Sequence, residues 1–138
     1  MATRDIKNGL SVVNTLAPLI RTVTPTGAWV DTREFDSAMF VTHVGAGTDG
    51  LVTFTAQDAD ATDQSDAAAI AAANLEGTFV NADADASPAT GLNTITRVGY
   101  KGAKRYLRIV ATISGAPGTG VNFGVQVVLG HAHQKKVA

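Results

Sequence analysis

"GVNFGVQVVLG", Gly120–Gly130, places Val121, Phe123, Val125, Val127 and Leu129 at every second position and Asn122, Gly124 and Gln126 between them. Successive side chains of an extended strand point to opposite faces, so this spacing describes a strand with one buried face. The stretch before it, "YLRIVATIS", repeats the pattern, with Leu107, Ile109, Ala111 and Ile113 on one face and Tyr106, Arg108, Val110 and Thr112 on the other. The connector "SGAPGTG" is rich in glycine and proline, and the two runs read as a hairpin closed by a longish loop.

The same period recurs upstream. "DSAMFVTHV" and "GLVTFTAQ" flank "GAGTDG" and predict a second hairpin, with Val52, Phe54 and Ala56 facing the core. Its first arm is apolar on both faces, at Ala38, Met39, Phe40, Val41 and Val44, which predicts a central strand. "GLSVVNTLAPLIRTVT" supplies one or two shorter strands broken near Pro18, whose missing N–H suits an edge or a bend. "TITRVGY" supplies another. The exception is "SDAAAIAAANLEG", where Ser65 as N-cap, Asp66 in the first turn, an alanine-rich body and Gly77 as terminator predict a short helix over about 65–76. The fold class expected is all-β: a β-sandwich, with a jelly roll as one form it could take, carrying one short helical insertion. The division expected is a flexible N-terminal arm at 1–9, one domain over 10–130 and a C-terminal tail at 131–138.

Bulk properties bound the function. A chain of 138 residues with 45% hydrophobic and 17% charged residues has the makings of one ordinary folded domain. The absence of cysteine removes disulfides and thiolate chemistry. The N-terminus is charged where a secretory signal needs an apolar run, and no stretch reaches the roughly 20 apolar residues of a membrane span. The expected mature protein is therefore the whole chain. The net charge of −1 hides an asymmetry. Glu34–Thr96 holds ten acidic residues and no lysine or arginine, whereas the chain from Arg97 onward holds seven basic residues and no acidic one. Either the halves neutralise one another across the fold, or they steer subunits head to tail.

Motifs that could carry chemistry fail on context. "GAGTDG" matches G-x-G-x-x-G, but a threonine- and valine-rich strand follows where a dinucleotide site needs a helix N-terminus, so a glycine turn is expected. "GAPGTG" lacks the lysine and hydroxyl of a phosphate loop. Asp58, Asp60 and Thr62 have the spacing of the first EF-hand ligands, yet Asp63 stands at the turn glycine and Ala69 at the bidentate glutamate. A looser calcium site at Asp58, Asp60 and Asp63 competes with a solvated loop, and the loop is favoured. His131 and His133 lie near the end and His43 on a strand, too few for zinc. Ser37 neighbours Asp36 and His43 in sequence only. No catalytic residue, cofactor or metal is expected.

"VGYKGAKRYLR" raises nucleic acid, because Tyr106 and Arg108 share a face. Lys101, Lys104 and Arg105, however, cluster in and beside a turn, and no second basic-aromatic strand completes a stacking platform. A solvated or subunit-facing strand is the favoured reading.

"IKNGLSVVNTLAP", "FDSAMFVTHVGAGTDG", "TAQDAD" and "TRVGYKGAKRYLRIVATISGA" occur in this order, from Ile6 to about Gly130, and "GYKGAKRYLR" is the most specific element. In them the chain resembles a family of small head-associated proteins of tailed bacteriophages, encoded close to the major capsid protein, among which capsid decoration (cement) proteins with β-sandwich or jelly-roll folds are found. Ala67–Ala73 and the loop to Pro88 are longer than is usual there. The resemblance implies a structural virion protein on the outer surface of the capsid, bound to the major capsid protein, self-associated as a homotrimer and bracing the shell. It implies no enzymatic activity, nucleic-acid partner or membrane. A tail, neck or receptor-binding component of the virion is the alternative. On this reading Arg4, Ile6 and Lys7 of the N-terminal arm are expected to contact the capsid. Lys101, Lys104 and Arg105 are expected to contact the acidic region of a neighbouring subunit.

Overall fold

The computed structural model describes residues 6–133. The alternating stretches form β1 (Leu10–Arg21), β2 (Val30–Asp31), β3 (Phe35–Gly47), β4 (Leu51–Ala59), β5 (Ala68–Ala69), β6 (Leu75–Glu76), β7 (Ala82–Asp83), β8 (Thr94–Tyr100), β9 (Tyr106–Ser114) and β10 (Val121–Ala132). They build two antiparallel sheets. Sheet A runs β1-β10-β3-β8-β6, and sheet B runs β2-β9-β4-β5 with β7 also on β4. Pairs nest from the ends of the chain inward, β1 on β10, β2 on β9, β3 on β8 and β4 on β5, which is a long hairpin rolled across two sheets, the jelly-roll arrangement.

The core lies between the sheets. Val121, Phe123, Val125, Val127 and Leu129 of β10 are buried together with Phe40 and Val44 of β3, and they meet Val52, Phe54 and Ala56 of β4 and Leu107, Ile109 and Ala111 of β9. Phe54 of sheet B packs edge-to-face on Phe123 of sheet A, ring centroids 5.5 Å apart, the geometry the ring quadrupoles favour. Each large apolar side chain so buried contributes about 1.5–3 kcal/mol relative to exposure.

The hairpins are where the sequence reading is corrected. β3 and β4 follow one another through 48–50 but lie in opposite sheets, and so do β9 and β10 through 115–120. Each glycine-rich connector therefore crosses the roughly 10 Å between layers instead of turning within one. Gly50 (φ 94°) and Gly120 (φ 89°) supply the left-handed backbone these crossings need. The two crossings are clasped together. Asp49 in the first accepts hydrogen bonds from the backbone N–H groups of Gly118 (2.7 Å), Thr119 (3.1 Å) and Gly120 (2.6 Å) in the second.

The helix expected over 65–76 is absent. Among the described residues helical geometry is confined to the 3-10 turns Lys7–Gly9 and Ala72–Asn74, and no helix is long and apolar enough to cross a membrane. Of the two large apolar residues in this stretch, Leu75 lies in β6, and Ile70 is buried with its N–H donating to Ala56 O at 3.0 Å. That docking needs extended chain, and alanine's helix preference is too weak to oppose it. Asp66, expected in a first helical turn, instead accepts from the N–H groups of Asp60 and Ala61. β10 also continues through His131 and Ala132, past the expected tail boundary, and Ala132 pairs with Phe35.

Candidate functional site

The "GYKGAKR" turn folds back onto its own chain. Tyr100 at the end of β8 donates its hydroxyl proton to Asp58 Oδ2 (2.9 Å) and accepts from Lys104 N–H (3.1 Å), bracing the turn from below. Asp58 is buried in β4, so this contact ties sheet A to sheet B. Burial and the neighbouring Asp58 push the Tyr100 phenol up to about 12. Gly102 leaves room for the ring: a Cβ there would fall 2.6 Å from Tyr100 Cε2.

Every basic residue of the turn finds an acid from the acidic region or Asp31. Lys101 Nζ lies 2.9 Å from Glu76, Lys104 Nζ 3.5 Å from Asp58, and Arg105 makes a two-pronged contact with Asp31 at 2.9 and 2.7 Å. The Arg105 guanidinium holds the Asp31 carboxyl below the usual range. The charge asymmetry is thus met within the fold at Lys101, Lys104 and Arg105. The aromatics are taken too. Tyr106 is buried with the Arg105 guanidinium 4.7 Å from its ring centre, and Arg108 stacks on Trp29 at 4.4 Å while donating to Gln57.

The remaining chemical residues are separated or engaged. Asp58 faces Tyr100 and Lys104, Asp63 accepts from Ser65 N–H, and among the described residues no group of three or more histidines and carboxylates is placed to hold a metal. Ser37 Oγ meets His131 Nδ1 at 2.8 Å, while Asp36 holds a different histidine, His133, at 2.6 Å. The serine and the carboxylate therefore do not share an imidazole, as a hydrolytic triad requires.

Of the N-terminal residues, Arg4 lies outside the described residues. Ile6 is 68% exposed, and Lys7 opens the 3-10 turn that leads into β1. Lys7 and Leu10 line a groove with Arg33, Glu34, Phe35 and His133.

What sequence reasoning missed is the contrast between the two solvent faces. On sheet B the outward positions of β4 and β9 are Thr53, Thr55, Gln57, Arg108, Val110 and Thr112, mostly polar. Sheet A turns outward a cross-strand row of Val12, Val128 and Met39; the next row runs Asn14, Gln126, Val41 and Arg97, and Ile95 lies opposite His43. Val12 is 63% and Ile95 64% exposed. The signal is present in β3, whose apolar residues on both faces predict a central strand, which it is. Its outward Met39 and Val41 are only half-buried.

β1 adds a second apolar feature. Among the described residues it is a sheet edge of 12 residues, met on its far side by Ala28 N–H at Thr15 O, whereas the other sheet edges β6, β2 and β5 are two residues each. Short edges deny a partner strand its template, and a long apolar one offers it. Neither a family model, nor a curated protein, nor a solved structure matches this chain.

Proposed function

We propose that this chain is a non-catalytic structural protein that decorates the outer surface of a tailed-phage capsid and stabilises the shell. The contact surface on this reading is the outer face of sheet A, with Ile6 and Lys7 at the margin where β1 begins. The carrying observation is the contrast between a valine- and methionine-bearing face on sheet A and a threonine-bearing face on sheet B. An exposed apolar patch on a stiff scaffold suits a protein whose work is adhesion. The resemblance of the motif order to that of head-associated proteins is what points this reading to a phage shell. Many copies on one lattice add through effective concentration, so each contact can be modest.

The test is co-sedimentation with capsids stripped of this protein. Wild type pellets with the shell; Met39→Asp and Val41→Asp do not, while Thr55→Asp on the opposite face pellets normally. Wild-type protein that stays in the supernatant would end the proposal. Deleting residues 2–8 tests the arm in the same assay. Counting copies in images of intact virions separates decoration, with hundreds, from a neck or tail part with a few dozen at most.

A further inference from the structure

We propose that β1 is a self-pairing edge: a second copy of this chain lays its Leu10–Asn14 antiparallel against the same segment, with Val12 opposite Val12 on a twofold axis. The inference concerns the purified chain alone and stands apart from the capsid reading.

The segment is the regular part of the strand. Leu10 to Asn14 pair with Gly130 to Gln126 without interruption, and register shifts begin only beyond Asn14. On the far side β1 has no strand neighbour; Thr15 O is taken by Ala28 N–H, and no backbone partner meets the far edge of Leu10–Asn14 among the described residues. Such an edge is completed by another extended strand.

Exposure on both faces argues for a strand laid alongside. Val12 (63% exposed) points outward and Val13 (37%) inward, yet both are open because, among the described residues, no strand flanks Leu10–Asn14 on its far side. A neighbouring strand covers both at once, which a partner resting on one face does not.

Charge argues for a copy of the same chain. From Gly9 to Ile20 there is no acidic or basic residue, so pairing the strand with itself sets no like charges opposite one another. The segment equally offers no charge by which to select a foreign partner. Antiparallel pairing about Val12 sets Leu10 against Asn14 and Ser11 against Val13, and the perpendicular twofold keeps the outer faces of both sheets on one side. The row Val12, Val128, Met39 then continues into its symmetry mate as one apolar surface.

The test uses the full chain and its mass in solution, by sedimentation or light scattering, at low and high salt. Wild type is expected as a dimer that persists in high salt, because apolar contacts are not screened. Val12→Lys and Val12→Glu, each placing like charges on the axis, are expected as monomers with unchanged circular dichroism. Mixed in equal amounts they are expected to recover the dimer mass. Val23→Lys, at a more exposed valine beyond the strand, should leave the mass unchanged. Monomeric wild type, Val12 variants that retain the wild-type mass, or a mixture that stays monomeric would each overturn the proposal. So would a trimer that salt disperses, since that outcome places association at Lys101, Lys104 and Arg105.

Discussion

The Thr15 hydroxyl accepts a hydrogen bond from Ile109 N–H at 3.2 Å and donates one to Ala28 O at 2.8 Å, so one buried side chain joins β1 of sheet A to β9 of sheet B. Ala28 N–H returns a bond to Thr15 O at 2.7 Å, and Gly27 N–H donates to Ile109 O at 3.0 Å. The strap over 26–28 thereby closes the open flank of the sandwich. Gly27 is required there, because a Cβ would collide with the Thr15 hydroxyl and the Ile109 carbonyl.

Thr15→Val keeps the shape and removes both hydroxyl bonds, leaving Ile109 N–H and Ala28 O without that partner. Ile109 is buried, so its unsatisfied N–H costs about 1–3 kcal/mol, while Ala28 is exposed and its carbonyl turns to water. The urea midpoint is expected to fall with an unchanged slope, which denotes lost stability without a change in the surface exposed. A midpoint equal to wild type would show that the flank is held by other contacts.

Tyr100→Phe removes the phenol that joins Asp58 to the backbone of Lys104. Asp58 then keeps the Lys104 ammonium at 3.5 Å as its ion partner, and the expected loss is about 1.5–3 kcal/mol, the range for hydrogen bonds to a charged group. Gly102→Ala strikes the same ring from the other side and is expected to destabilise as well. Both are read by thermal or urea unfolding. The most distinctive motif of the sequence is on this account a clasp, and neither variant should change capsid pelleting at temperatures where it remains folded.

Period-two alternation located the long strands and their buried faces, because burial on one side of a pleat leaves a mark at every second residue. Val121 to Leu129 and Val52 to Ala56 face the core as that pattern requires. Which strands pair is a different kind of information. Both sheets present the same apolar inner face, so Ile109 and Phe123 look alike in sequence although they lie in opposite layers. Loops such as "GAGTDG" have the composition of a hairpin turn and of a crossing alike. The clasp at Thr15 was illegible for a related reason: a threonine inside an alternating run carries no sign that its hydroxyl meets a backbone 94 residues away. The outer face of sheet A is not legible in the same way: β3 is central in its sheet, as its apolar residues on both faces predict, yet that pattern does not say that one of the faces is left to solvent.

Stability should fall at both ends of the pH scale. Backbone N–H groups of Gly120, Gly118 and Thr119 lower the Asp49 carboxyl from 3.8, and hydrogen bonds likewise lower Asp31, Asp63, Asp66 and Glu76. Groups lowered on folding stabilise above their unfolded values. That contribution is lost as pH falls through the folded values, because the unfolded chain takes up protons first. Tyr100 acts in the opposite sense: raised from 10.0 to about 12, it contributes fully below pH 10 and loses stability as pH climbs toward 12. Urea midpoints across pH check both limbs. Asp49→Asn should shallow the acid limb and Tyr100→Phe the alkaline one.

Gly124→Ala tests how β1 bends. Leu16 pairs with Val125 and Leu19 with Phe123, so the strand slips register around Pro18. A Cβ on Gly124 would lie 2.9 Å from both Pro18 N and Pro18 Cα, closer than carbon atoms approach without displacement. Alanine must therefore push β1 away from β10 at the very point where Leu16 enters the core, at a cost of about 1–3 kcal/mol typical of overpacking. The obstacle is backbone, so adding Pro18→Ala to Gly124→Ala should restore little of the lost stability. Full rescue would instead place the conflict in the pyrrolidine ring. Because the slip lies beyond Asn14, the Leu10–Asn14 edge stays regular in the variant, and the mass of the purified chain should not change even as its unfolding midpoint drops.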